Sequence, residues 1–220
     1  MTKHYQHEID RLNKKILHLT AMVEQNLHQA VKSITERSTD LAHKVIDADY
    51  EIDQMEVEVE EECLKILALY QPVAIDLRFI IAVLKINSDL ERIGDLAGNI
   101  ADRAILINSM PEHRVPFDLE EMLRLVVDMV KRSSDALVEM DGEIAREVMK
   151  SDDEIDRRHR EAYLATMSRV KENPEAAEFY SNMFSVSRHL ERIADHATNI
   201  AEDVIYMVSG DIVRHRGGII

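Results

Sequence analysis

Residues 79–107, FIIAVLKINSDLERIGDLAGNIADRAILI, carry an apolar side chain at every third or fourth position: Phe79, Val83, Ile86, Leu90, Ile93, Ala97, Ile100, Ala104 and Ile107. That spacing lines them along one face of an α-helix. Adding 100 to each number gives Phe179, Met183, Val186, Leu190, Ile193, Ala197, Ile200, Val204 and Met207, and all nine remain apolar. Only 45% of the chain is hydrophobic, so nine agreements out of nine point to duplication and not to chance.

The flanking stripes extend the repeat in both directions. Ile9, Leu12, Ile16, Leu19, Val23 and Ala30 predict a first helix, and Leu12, Ile16, Leu19 and Val23 recur 107 residues later as Leu119, Leu123, Val126 and Val130. The polar break at Asn26 recurs as Ser133. Leu41, Val45, Ala48, Ile52, Met55 and Val59 predict a second helix. Its first half repeats at offset 103, with DYEID at 49–53 against DDEID at 152–156, and its second half drifts out of clean alignment.

Breaks fall where helices should end. Ser38, Thr39 and Asp40 suit an N-terminus, Gln71-Pro72 and Asn173-Pro174 interrupt, Asp141-Gly142 turns, and Pro111 and Pro116 bracket the link between copies. Six helices of roughly 25 to 35 residues follow, each about 40 to 50 Å long at ~1.5 Å per residue. The expected fold is all-α: two tandem antiparallel three-helix bundles related by internal duplication, residues 1–110 and 111–220. A period near 3.5 favours small left-handed crossing angles. One continuous six-helix array is the alternative.

Composition narrows the function. Among 220 residues, 27 Lys and Arg face 42 Asp and Glu, a net charge of −15. Such a surface repels nucleic-acid phosphates and anionic lipid, and favours cations or basic partners. Ten glycines and prolines together are too few for a turn-rich sheet protein. The single cysteine, Cys63, cannot form an internal disulfide, which fits a reducing cytoplasm. The opening MTKHYQHEID has no apolar signal core, and the longest apolar run, Phe79 to Leu84, is far too short to insert into a membrane.

The best-matched segment is ERIGDLAGNIA at 91–101 against ERIADHATNIA at 191–201, with eight of eleven residues identical. Packing alone accounts only for the apolar matches. The polar matches are Glu91, Arg92, Asp95 and Asn99 with Glu191, Arg192, Asp195 and Asn199. Glu91, Asp95 and Asn99 lie four apart, at the edge of the apolar stripe. Like charges at this spacing repel. Asp49 with Asp53, and Asp152 with Asp156, form a second pair of rows on the antiparallel neighbouring helices. Rows from two packed helices can meet along a groove, and such oxygen donors suit magnesium, calcium, manganese or iron. Solvated faces with local salt bridges are the plainer explanation. For Asn99 and Asn199 it is an interhelical hydrogen bond, and for Arg92 and Arg192 it is pairing with adjacent carboxylates. Asp102, Glu202 and Asp203 read as exposed charges, and the eleven methionines as core filler.

Two copies of E-R-I-x-D-x-x-x-N-I-A, each with an upstream D-x-E-I-D, resemble the PhoU family of phosphate-transport accessory and regulatory proteins. QPVAIDLRFI at 71–80 is similar to the family's segment between its second and third helices, and the resemblance covers essentially the whole chain. It implies a cytoplasmic, often dimeric, six-helix protein that restrains phosphate uptake and the phosphate-starvation response. The implied partners are the ATPase subunit of the phosphate ABC transporter and a sensor histidine kinase. It also implies metal binding by acidic motifs, here Asp49, Asp53, Glu91, Asp95, Asp152, Asp156, Glu191 and Asp195, extended by Asn99 and Asn199. The metal could be iron, zinc, manganese or magnesium. Asp153 in place of Tyr50, and His196 in place of Leu96, make the two copies unequal.

No phosphate-binding loop, dinucleotide glycine motif, paired-cysteine zinc motif or elbow serine occurs, so a non-enzymatic adaptor is the leading expectation. A carboxylate-bridged di-metal oxidase would need Glu-x-x-His on two helices. The chain offers only Asp40-x-x-His43 and Asp156-x-x-His159, at non-equivalent places. A metal-free helical scaffold is the third expectation.

Overall fold

A computed structural model describes residues 3–210, and the outermost parts of the two expected spans lie outside the described residues. Six long helices account for most of these: α1 (Lys3–Thr35), α2 (Thr39–Tyr70), α3 (Ile75–Ser109), α4 (Leu119–Glu139), α5 (Gly142–Glu172) and α6 (Ala177–Ser209). A single 3-10 turn, Pro174–Ala176, leads into α6, and no strand occurs among the described residues. The helix α4 has 21 residues, shorter than the periodicity implied, because its stripe starts only at Leu119 and its chain turns at Met140.

The helix ends follow local chemistry. The Ser38 hydroxyl accepts a hydrogen bond from the Leu41 amide, and Asp118 and Asp141 cap α4 and α5 in the same way. Gln71 and Met140 end their helices in the left-handed conformation, at φ 47 and 54°. The guanidinium of Arg37 donates to the carbonyls of Asn108 and Met110, so the α1–α2 turn closes the C-terminal end of α3.

All eighteen apolar positions of the α3 and α6 stripes are buried. Each copy packs its three helices on one another, and α3 against α6 and α1 against α4 join the copies. One apolar core runs through both. The helices α2 and α5 lie on the flanks; among the described elements each touches only the other two members of its own copy and, for α5, the short turn before α6.

The seam between α3 and α6 is antiparallel, as three polar bridges show. Lys85 Nζ lies 3.1 Å from Asp203, His196 Nδ1 lies 2.8 Å from Asp89, and Arg103 donates to Asn182 at 3.3 Å. Asp203 is 2% exposed, not the solvated charge the sequence suggested. It sits three residues after Ile200 and four before Met207, on the core-facing side of α6. At the other seam the buried hydroxyls of Thr20 and Ser134 hydrogen-bond to one another at 2.9 Å.

The drifting half of the α5 repeat is also explained. Buried Ala42, Val45, Ile52, Val59 and Cys63 of α2 correspond at offset 103 to buried Ala145, Val148, Ile155, Ala162 and Thr166 of α5. The register holds throughout, but Ala162 and Thr166 are too small or too polar to read as a stripe. Cys63 is fully enclosed, and burial pushes its thiol up to about 12, so it packs as a small apolar residue.

Candidate functional site

The acidic rows of α2 and α3 do meet. An added Cβ on Gly94 would lie 3.1 Å from Ile52 Cγ2 and 3.3 Å from Asp49 Oδ1, so α2 and α3 approach closely beside Asp49. The Asn87 amide donates to the Glu56 carbonyl at 2.8 Å and fixes the antiparallel register about two turns further on. Asp49 thus comes beside Asp95, and Asp53 beside Glu91.

Burial, with the negative charges of Asp53 and Asp95, raises the Asp49 carboxyl to about 6. Its Oδ1 is enclosed and has no hydrogen-bond partner among the described residues. Glu91 is raised too, first by burial and then by Asp95, with Arg92 opposing and Asp53 and Glu56 adding. Arg92 lies 3.1 Å from Asp95 and 3.5 Å from Glu91, so it supplies the local pairing expected of it.

The second copy repeats this pattern on α5 and α6. Burial raises Asp152 to about 6, helped by Asp195, Asp156 and Asp153, while the nearby Thr198 hydroxyl opposes. Glu191 is raised by burial and by Asp195, Asp156 and Asp152, with Arg188 opposing. Asp195 has an exposed edge, yet the protein crowded around it and the charge of Asp156 raise it as well; His196 and Arg192 oppose. Arg160 lies 3.6 Å from Asp156. Arg192 makes no ion pair within 4.0 Å among the described residues, so the two copies differ in how their arginines act.

Eight of the ten candidate positions are therefore gathered into two groups of four. Asn99 and Asn199 are not: both are exposed and neither hydrogen-bonds to a described residue. Glu56, seven residues beyond Asp49, joins the first group. Its i, i+4, i+7 placement after Asp49 and Asp53 was the available signal. Its counterpart is His159, whose Nδ1 lies 2.8 Å from Ser187 Oγ while the ring stacks on Phe184. That ring is a packing element at the groove edge. His189 is held below its usual range by burial, then by Arg103, Arg192 and Arg188.

A hard cation fits the donor set: both groups are all carboxylate, their charges repel one another, and an enclosed Asp49 oxygen lacks a partner. As the side chains are oriented, no three His, Cys, Asp or Glu among the described residues stand close enough to hold a metal ion. Coordination therefore requires the carboxylates to rotate toward one another.

Known proteins agree with this architecture. A family profile described as the PhoU domain matches twice, at residues 16–104 and 119–204. The chain is 37% identical over 218 residues to a phosphate-specific transport system accessory protein PhoU homolog of Pseudomonas aeruginosa, covering 99% of this chain and 90% of that protein. It is 36% identical to the like-named protein of Aquifex aeolicus, over 95% of each chain. The crystal structure of PhoU from Pseudomonas aeruginosa superposes with a TM-score of 0.89 at 36% identity, over 94% of this chain and all of that one. The phosphate transport system regulatory protein PhoU from Streptococcus pneumoniae superposes at 0.83 with 25% identity, over 95% and 99%. The chain belongs to the PhoU family.

Proposed function

We propose that this PhoU-family chain is a metal-binding adaptor that restrains phosphate uptake and the phosphate-starvation response. The observation that carries this reading is the duplicated carboxylate groove, with Asp49 and Asp152 each held half-buried among other carboxylates. Relatives named as accessory or regulatory proteins of phosphate transport support it. No described helix is long and apolar enough to cross a membrane. The chain would work in the cytoplasm, as a homodimer, against the inner faces of membrane components.

In this reading Asp49, Asp53, Glu91 and Asp95 hold cations in the first groove, and Asp152, Asp156, Glu191 and Asp195 hold them in the second. Asn99 and Asn199 extend the rows outward. Oxygen ligands favour iron, manganese or magnesium over zinc. A bound cation would supply the positive charge that both rows lack. It would tie α2 to α3 and α5 to α6, stiffening the faces presented to partners. The transporter ATPase subunit and the sensor histidine kinase are the proposed partners. The adaptor shifts their conformational equilibria only by binding one state of each more tightly than the other.

The test is association of the full chain with the purified ATPase subunit and with the kinase, across phosphate and metal conditions. Binding to both that weakens on chelation supports the reading. Association with neither in any condition removes it.

A further inference from the structure

The outer face of α2 carries a row of exposed apolar side chains at seven-residue spacing. Tyr50, Val57 and Leu64 lie seven residues apart and are 67%, 50% and 53% exposed. Each sits two residues from a member of the buried series Val45, Ile52, Val59 and Ile66, hence about 160° around the helix at ~100° per residue. The two apolar stripes of α2 thus lie on opposite sides of one helix. The inner stripe packs against α1 and α3, and no described element covers the outer one.

Charge frames this outer seam. Residues 45–64 contain nine acidic and no basic side chains. Glu60 lies about 60° to one side of the seam, and Asp47 and Glu61 about 40 to 60° to the other. All three are exposed, and none forms an ion pair among the described residues.

The fold does not require this face. At the corresponding positions α5 has Asp153, Arg160 and Met167. Over the equivalent residues 148–167 it mixes five acids with four bases. The same architecture is therefore built in the second copy with charge at two of the three equivalent positions, and the exposed apolar residues of α5, Tyr163, Leu164 and Met167, do not repeat at seven-residue spacing. The exposed seam belongs to the first copy alone.

We propose that the outer face of α2 is the docking surface for an amphipathic helix of another protein, one whose apolar seam is flanked by Lys and Arg. A heptad-spaced seam with charged flanks is the pattern by which one helix selects another. The flanking acids choose the partner's sign. A second copy of the same face would bring like charges together on both sides, and an anionic lipid surface meets the same repulsion. The seam spans about 21 Å along the helix at ~1.5 Å per residue, enough for two heptads of contact.

The test uses the full chain and a fluorescein-labelled 21-residue synthetic helix with Leu at the seam and Lys at the flanks, read by anisotropy. Controls are the same helix with Glu flanks and a scrambled Lys peptide of equal charge. The expected result is saturable one-to-one binding to wild type, at least tenfold weaker for either control. Val57→Asp with Leu64→Asp should weaken binding at least tenfold while making the protein more negative, with its circular dichroism spectrum and melting temperature held. Equal binding by that variant, or by the scrambled peptide, overturns the proposal because charge alone would then suffice. So does a wild-type dimer in sedimentation that the variant dissolves, or adsorption to phosphatidylglycerol vesicles that the variant abolishes.

Discussion

Replacing Asp49 and Asp152 with Asn should stabilise the metal-free protein. Both carboxyls are raised from the usual 3.8 to about 6 by burial and by neighbouring carboxylates. A carboxyl raised on folding favours the native state at low pH, where the native chain holds a proton that the unfolded chain releases. That advantage disappears as pH rises through about 6. Above it, each ionised carboxylate opposes folding. The shift of roughly two units corresponds to at most about 3 kcal/mol per site, and solvent access to half-buried groups reduces this to about 1 kcal/mol. For a chain of this size each such increment raises the melting temperature by about 2 to 4 °C. The sites lie in different copies, so the double variant should gain about twice as much. Thermal melts by circular dichroism in chelator at pH 8 should show this gain, and melts below pH 4 should not. With a saturating divalent cation the order should reverse, since wild type then gains binding energy that the amides forgo. A variant less stable than wild type at pH 8 in chelator would refute the reasoning, because it would mean the carboxylates already have good partners.

Other consequences can be checked independently. Gly94→Val drives a branched side chain into Ile52 and Asp49; about 1 to 3 kcal/mol of overpacking is expected, and titration calorimetry should show weaker cation binding in the first copy with the second unaffected. Lys85→Met deprives the buried Asp203 carboxylate of its cationic neighbour and should cost about 1 to 3 kcal/mol by urea unfolding. Ser134→Ala removes the hydroxyl that hydrogen-bonds to buried Thr20 Oγ1 across the seam, while Thr20 keeps its bond to the Ile16 carbonyl. A loss of about 1 kcal/mol is expected by the same measurement.

The third and sixth helices were legible because nothing interrupts their stripes: all nine stripe positions from Phe79 to Ile107, and all nine from Phe179 to Met207, are in the core. The fifth was half legible. Ala162 and Thr166 occupy core positions that Val59 and Cys63 fill in the first copy, and periodicity read by apolarity passes over them. Asp203 was misread for a related reason: a charge on a core-facing register looks exposed until the opposing helix supplies Lys85. In the grooves, spacing put carboxylates on facing helices, and the structure brings those rows near one another. It could not show that Glu56 would join them, or that Asn99 and Asn199 would remain outside. Those outcomes depend on how far each helix face is rotated toward its neighbour, which a repeat motif does not encode. The exposed seam of α2 escaped notice because its residues lie between positions already assigned to the core.

The central claim is that the two grooves hold cations. Elemental analysis of protein purified without chelator, alongside Asp95→Asn with Asp195→Asn, tests it most directly. The account predicts bound metal in wild type and loss of most of it in the double variant, with the helical melt intact. Wild-type protein free of metal after reconstitution with ferrous, manganous and magnesium salts, or a variant that retains the full content, would contradict it.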